Sequence, residues 1–426
     1  MTREQIDALI LSLEKASRKN PRLYITRIIG LVLLAYSYLL LILLGSLALC
    51  VLMIVMVVYA PATLKLGLVG LIAFGGIFIA VARGLWVKLK PPTGRFITRA
   101  EVPKLFDLLD ELRAALNCAP FHHVIVVGEI NAAVVQVPRL GILGWHRNYL
   151  LIGLPLMQSL APDEFKAVLA HEFAHSSRGH GRFGNWLYRT RRTWEQIMQH
   201  MAKRRMRFGA ILYKFLQWFW PRFHCHTFVL SRVNEYEADA CAARLAGPQA
   251  IATALTRIRV DGPLLSEKFW PEVFNRATTE KQPPADVGFT LGQALQNGPA
   301  PDDAARWLRQ AFLIETNNSD THPCLKDRLR AVGCLPTGIE QGNFPAAPPP
   351  KLTQTAAAFY LGDHEAALVR AMSEQWAKAI APKWAERHNH AQKLAGELQN
   401  LENQPIPPTQ AKPHPSPKPS GKKPAN

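Results

Sequence analysis

Hydrophobic and polar positions divide the chain into unlike parts. From Ile28 to Tyr59 no charged side chain occurs, and a second uncharged run extends from Leu66 to Ala82, continuing toward Trp86. The first run exceeds the roughly 20 apolar residues that a membrane helix needs. Its excess length predicts either tilt or a break near Gly45-Ser46. It is too long for the apolar core of a signal peptide. Ala60–Lys65 between the runs reads as a short turn, and Trp86 is placed to anchor at the membrane interface. Two buried core helices are a poor alternative, because two uncharged runs this close together are rare in soluble domains. Two transmembrane helices are therefore expected within residues 28–88.

After these runs the pattern changes period. Ala100 to Asn117 carries Leu105, Leu108, Leu109 and Leu112 at helical spacing. His123 to Val127, Asn131 to Val137 and Tyr149 to Ile152 read as β-branched strands of a small sheet. Asn131-Ala132-Ala133 is a candidate edge that a substrate could extend by backbone hydrogen bonds, or a plain turn. Arg182 to Arg207 is basic and reads as helical. Phe208 to Trp220 is apolar and aromatic but short for a span, so a helix packed on the domain or lying in the interface is expected, ended by Pro221. Phe228 to Leu245 reads as a helix stopped by Gly247-Pro248. Loop signals fall at Asp261-Gly262-Pro263 and Gln282-Pro283-Pro284. A Pro-rich linker, Gly342 to Pro350, leads to an alanine-rich helical segment whose His388-Asn389-His390 reads as solvated. From Gln404 the composition is Pro/Lys-rich, and disorder is expected.

The chain of 426 residues has a formal charge of +18. Such a charge suits nucleic acid or an anionic membrane surface. No nucleic-acid motif is present and the basic residues flank the apolar runs, so the lipid bilayer is the expected partner, and nucleic acid is not. Arg3, Lys15, Arg18, Lys19, Arg22 and Arg27 precede the first run, Arg83, Lys88, Lys90, Arg95 and Arg99 follow the second, and the turn carries only Lys65. The positive-inside rule then puts both flanks in the cytoplasm, as for a multi-pass protein of the inner (plasma) membrane. Six scattered cysteines without a C-x-x-C pair fit a reducing compartment.

The chemistry is concentrated in His171-Glu172-Phe173-Ala174-His175, an H-E-x-x-H pattern inside an apolar helical stretch. Two histidines four apart share a helix face and can reach one metal, with Glu172 beside them to handle a proton. Leu160 to Glu164 opens the helix, with Pro162 in the first turn, and Gly179 and Gly181 are candidate stops. Arg178 and Gly181 stand where a metzincin would have glycine and a third histidine, and His180 reads as a helix-end residue. The third ligand can instead come from Asn234-Glu235-Tyr236-Glu237-Ala238-Asp239. On a helix Glu235 and Asp239 share a face that Glu237 does not. Glu235 can complete a His-His-Glu site for one Zn2+ per chain, and Asp239 can accept the spare ring N–H of a ligand histidine, His171 being the expected one. Near Pro323, which is expected to start a short helix, His322 and Arg328 read either as a cap and a surface arginine or as groups facing an oxyanion.

Taken together, Asn131-Ala132, His171-Glu172-x-x-His175, Ser231-Arg232-x-x-Glu235-x-x-Ala238-Asp239 and Thr321-His322-Pro323 with Arg328-Leu329 resemble, in order, the membrane zinc peptidases of family forty-eight. That group holds HtpX-type and CAAX prenyl endoprotease-like enzymes. The likeness spans residues 95–335. It implies Glu235 as the third zinc ligand, His322 as a transition-state stabiliser and Asn131 as a substrate-binding residue, with Ala132 beside it. It also implies a gluzincin-like α+β fold, mostly helical with a small sheet. HtpX-type members carry further membrane helices between the two zinc motifs, where this chain has only the Phe208–Trp220 run.

The expected layout is a basic N-terminus (1–27), two transmembrane helices (28–88), a zinc peptidase domain (95–340), a helical extension (351–403) and a tail (404–426). The expected function is hydrolysis of membrane or membrane-proximal polypeptides in quality control. Glu172 would be the general base, and His322 with Arg328 would stabilise the oxyanion. The alternative is a membrane scaffold with a structural zinc site and partner-binding C-terminal helices. Glu172 argues against it, since a structural site needs no base. An intramembrane protease is excluded by Glu164, Lys166 and Arg178, which make the motif helix too polar to span.

Overall fold

The computed structural model describes residues 2–85, 91–138, 146–177, 187, 190–191, 210–318, 320–344 and 349–403. Helix α1 (Arg3–Lys19) starts at a capping box in which Thr2 Oγ1 accepts from Gln5 N–H (3.3 Å) and Gln5 Oε1 accepts from Thr2 N–H (3.0 Å). Asn20 alone separates it from α2 (Pro21–Tyr59), whose first turn holds Pro21 and whose Leu23 N–H is capped by Asn20 Oδ1 at 3.0 Å. No break occurs at Gly45-Ser46: α2 runs unbroken for 39 residues, and the Ser46 hydroxyl turns back onto the Leu43 carbonyl at 2.9 Å. A three-residue 3-10 turn, Pro61–Thr63, reverses the chain into α3 (Leu64–Leu85). Gly67 and Gly70 lie against Val57 and Met53 of α2, where any side chain would collide. Small residues bring the two helices together as in membrane hairpins.

The length of α2 serves two environments. Tyr24, Ile28, Val32, Ala35 and Leu39 are buried against α1 and a later helix, whereas Leu41, Leu44, Val51, Leu52 and Ile54 are exposed, as are Leu66, Val69 and Ile72 of α3. Among the described residues, Pro21–Tyr59 and Pro61–Ile79 are apolar and long enough to cross a membrane, and little of either is covered by protein.

The domain that follows opens with β1 (Arg95–Ile97), too short to be read from the sequence, and α4 (Pro103–Leu116). Strands β2 (His123–Val127), β3 (Ala132–Pro138) and β4 (His146–Gly153) complete a mixed sheet of order β1-β2-β4-β3, parallel only between β2 and β4. Leu105, Leu108, Leu109 and Leu112 of α4 are all buried and pack with Val124, Val126, Leu150 and Ile152 on one face of the sheet. Strand β3 is an edge, as expected of the Asn131-Ala132-Ala133 stretch, with Ala132 opposite Ile152.

Helices α5 (Leu154–Ser159) and α6 (Pro162–Ala174) follow, then α7 (Ala210–Ala246) and α8 (Pro248–Pro263). The expected stop at Pro221 does not occur; α7 passes through it for 37 residues. An internal proline costs a helix ~3 kcal/mol, but here the helix is held by burial of Leu216, Phe219 and Phe223 against α1 and α2. Arg222 Nη1 also donates to the Trp218 carbonyl (2.8 Å) beside the proline. The described part of the Phe208–Trp220 segment, Ala210–Trp220, is thus the first part of the helix that later carries Glu235. Gly247, at φ 95°, ends α7 as read, in a conformation suited to glycine. Asp261-Gly262-Pro263 is likewise not a loop. The helix continues through a π turn, Leu264–Phe269, into α9 (Trp270–Asn275), fixed by burial of Val260, Leu264, Leu265 and Phe269.

Helices α10 (Val287–Asn297), α11 (Pro301–Leu313), α12 (Leu325–Ala331), α13 (Ala356–Leu361) and α14 (His364–Glu402) complete the described chain, with Gln282-Pro283-Pro284 in a loop as read. The extension is not a separate body. Ala356, Ala357, Tyr360, Leu361, Leu368 and Val369 join the domain core, and Ala356 N–H donates to the Leu160 carbonyl (2.7 Å) at the start of α6. On α14, Trp384 Nε1 donates to the Glu280 carbonyl (2.9 Å) and His388 Nδ1 meets the Ala277 carbonyl (3.0 Å), so His388 is docked rather than solvated. The 404–426 tail, the 182–207 stretch apart from three residues, and Arg178–Gly181 with His180 lie outside the described residues.

Candidate active site

Helix α6 is fixed at both ends. At its start Glu164 Oε2 accepts from Ala161 N–H (2.9 Å), and the Arg257 guanidinium grips both Glu164 oxygens (3.0 and 3.1 Å). At its end Cys118 Sγ donates to the Phe173 carbonyl (3.2 Å). The helix stops at Ala174, before the glycines expected to close it, and His175 keeps a helical backbone as its cap (φ −61°, ψ −22°). The four-residue spacing therefore still stacks the two imidazoles. Phe165, Ala167, Leu169, Ala170 and Phe173 are wholly buried, so the helix lies in the domain interior.

Helix α7 packs along α6 through Ala238 and Ala242, whose small side chains let the backbones approach. The result brings His171 Nε2 and His175 Nε2 to 3.3 Å from each other and each to 3.5 Å from a different oxygen of Glu235. Among the described residues this is the group of His, Cys, Asp and Glu side chains that could hold a metal ion, with the three ligand atoms within 4.8 Å of one another. Glu235 Oε2 is buried without a hydrogen-bond donor, a costly state that a cation would relieve. Glu237 points to the exposed side of α7, as helical geometry requires.

Behind these three side chains lies a second layer. Asp239, fully buried, places Oδ1 3.0 Å from His171 Nδ1. Arg328 does not face an oxyanion position. Its Nε donates to Asp239 Oδ2 (2.8 Å) and its Nη2 to Asp239 Oδ1 (2.6 Å), a bidentate pair that uses the guanidinium edge. Against the pull of burial, Arg328 and His171 hold Asp239 below the usual carboxylate range. Burial opposes charge on His171 as well, but Asp239 and Glu235 outweigh it and raise that imidazole to about 9. Burial holds His175 down, to about 4. Glu172, on α6 between the histidines, is pushed up to about 7 by burial.

The rim differs. His322 is about half exposed, with Nε2 3.7 Å from Glu235 Oε2. Asp320 Oδ1 accepts from its backbone N–H and meets its Nδ1, both at 3.0 Å. Its place is not a helix N-terminus: α12 begins at Leu325, and the Cys324 N–H is satisfied by Thr316 Oγ1 at 2.9 Å. Asn131 is exposed just before β3, and its carbonyl accepts from Gly153 N–H (2.7 Å), so it lies at the head of the edge strand that packs along α6. Arg232 has a place that the Ser231-Arg232 motif alone does not explain. It is buried one turn before Glu235, and an arginine at that spacing on a ligand-bearing helix was the available signal.

A mostly helical domain with a small mixed sheet, an H-E-x-x-H helix and a facing glutamate, following two apolar helices, defines a membrane-associated protein with the frame of a metallopeptidase. Residues 141–334 match the model of peptidase family M48. Among curated proteins it is 26% identical to the protease HtpX of Acinetobacter baylyi over 216 residues, covering 42% of this chain and 67% of that one. It is 27% identical to the protease HtpX of Pseudomonas putida (strain GB-1) over 165 residues, 30% of this chain and 52% of that one. To the protease HtpX of Chromohalobacter salexigens it is 26% identical over 147 residues, 28% and 45%. The chain thus spans between about half and two thirds of the length of these relatives. No solved structure matches.

Proposed function

We propose that this protein is a membrane-anchored, zinc-dependent endopeptidase acting on membrane or membrane-proximal polypeptides. The observation that carries the reading is the convergence of His171, His175 and Glu235 within 4.8 Å beside Glu172. Two imidazoles and a carboxylate are a donor set suited to zinc with a fourth position free. Bound there, zinc would lower the pKa of a water molecule to about 7 and polarise the scissile carbonyl.

The chain's own residues do the rest. Asp239 accepts the Nδ1–H of His171, which leaves Nε2 as the ligand atom, and Arg328 holds Asp239 in that position. Glu172, whose carboxyl burial pushes up to about 7, takes a proton from the attacking water and passes it to the leaving amine. His322 donates to the developing oxyanion, oriented by Asp320 at its other nitrogen. A substrate strand adds to the edge strand β3 at Asn131-Ala132, beside α6. Basic flanks on α1, the start of α2 and the segment after α3, with Lys65 alone in the turn, favour a cytoplasmic site.

Glu172→Gln tests the reading. The variant is expected to keep its zinc and lose about 10²–10⁴ in the cleavage rate of a casein-type substrate, because proton transfer alone is removed. Undiminished cleavage in that variant would leave the structural-zinc scaffold as the better account.

A further inference from the structure

Arg232 of α7 is buried one turn before Glu235. Its Nη1 donates to Glu14 Oε1 of α1 (2.5 Å), its Nη2 to the Asn317 carbonyl (2.5 Å), and that nitrogen also reaches the Asp320 carbonyl (3.5 Å). The guanidinium lies over the Phe228 ring, 4.7 Å from its centre. A second tie joins the same elements: Asn318 Nδ2 donates to Asp7 Oδ1 (2.8 Å). Asp7 and Glu14 are seven residues apart, hence on one face of α1, with Ile10 and Leu13 buried between them. Asp7, Glu14, Arg232, Asn317 and Asn318 themselves line a cavity of about 740 Å³ between α1 and the 316–318 segment, so these polar contacts bridge a boundary that is otherwise loosely filled. Beyond the Asp320 carbonyl, the Asp320 carboxylate holds His322, which faces Glu235.

We propose that α1, which lies outside the family-matched segment, completes the active site by clamping the His322-bearing loop, with Arg232 and Glu14 as positioning residues. Resting on the peptidase reading, the inference adds that the site is assembled only when the helix preceding the membrane hairpin is docked. Arg232 bridges three partners that no single-point cation can span. Without Glu14 the guanidinium is buried and unpaired, and the carbonyls it holds are released with it.

The test uses the full-length protein in detergent. Glu14→Ala and an Asp7→Ala/Glu14→Ala pair are compared with Lys15→Ala, an exposed change on the same helix. Zinc content, kcat, KM and hydrogen–deuterium exchange at Glu315–Cys324 are measured. Glu14→Ala is expected to lower kcat about tenfold or more with KM and zinc retained, and the paired variant to go further. Exchange at Glu315–Cys324 accelerates in both, and Lys15→Ala is unchanged. Arg232→Lys, which keeps the charge and loses the fork, moves in the same direction. Unchanged exchange in the paired variant overturns the clamp, as does faster exchange with full kcat, or loss of zinc together with rate. If the unmodified protein hydrolyses nothing, the peptidase reading fails, and the exchange data alone then judge the clamp.

Discussion

The buried back of the site and its exposed rim are built on opposite terms. At the back, Asp239, Arg328, His171 and Glu235 lie between fully buried and 7% exposed, and each holds another through charged contacts of 2.6–3.5 Å. At the rim, His322 and Asn131 are exposed, His322 on a loop held by Arg232 and Asn318, and Asn131 held by its carbonyl to Gly153 N–H. The back fixes where the ligand atoms are, at the cost of desolvating charges that have value only as a set. The rim leaves room for a substrate and contributes little to folding. A change at the back should therefore cost stability and metal together, and a change at the rim should cost rate alone.

The largest effect is expected from Asp239→Ala. It strands Arg328 as a buried unpaired cation and removes the acceptor that orients His171. About 3–5 kcal/mol of stability and about 10–100-fold in zinc affinity should go together, measured by thermal unfolding and metal competition. Loss of zinc affinity with no loss of stability would break the link drawn here. Next is His322→Ala, expected to lower kcat by about 10²–10³ with the melting temperature and zinc content unchanged. A large drop in melting temperature would move His322 from the rim to the back.

A third change sharpens the comparison away from the ligands. Asp261, buried on α8 near Arg257, Ser159 and Glu164, is pushed up to about 7 from an ordinary 3.8, mainly by burial. Between those values the folded state binds more protons than the unfolded one, so this group makes stability fall as pH rises and adds no further loss above about 7. The interval corresponds to at most about 4 kcal/mol. Asp261→Asn should therefore unfold at a higher temperature than the unmodified protein at pH 8, and the two should converge near pH 4. An equal gap at both pH values would contradict the assignment. The smallest effect is expected from Glu237→Ala, two residues from Glu235 on the exposed side of α7: about 0.5 kcal/mol or less and no change in zinc affinity.

The back of the site was legible in the sequence and the rim was less so, for a physical reason. His171, His175, Glu235 and Asp239 are set by helical spacing, which any reader of the chain can apply. The placement of His322 depends on a loop tied to α1, some three hundred residues away in sequence, and Arg328 was read as facing the oxyanion because its partner Asp239 lies on another helix. The apolar hairpin, the α4 leucines and three of the strands followed from period alone. Pro221 and Gly262-Pro263 misled because local propensity was outweighed by burial of Phe219, Phe223, Val260 and Phe269, contacts that exist only once the fold has formed. The extension after Pro350 gave no sign that Tyr360 and Leu368 would enter the main core, since helical apolar positions carry no address.

The central claim is that His171, His175 and Glu235 form one metal site, and metal content tests it most directly. Elemental analysis of the purified full-length protein should give about one zinc per chain, falling to near zero in Glu235→Ala and in His171→Ala/His175→Ala while Glu237→Ala stays full. Full zinc in the Glu235 or double-histidine variant, or loss of zinc in Glu237→Ala, would contradict the assignment of ligands and the helix register on which it depends.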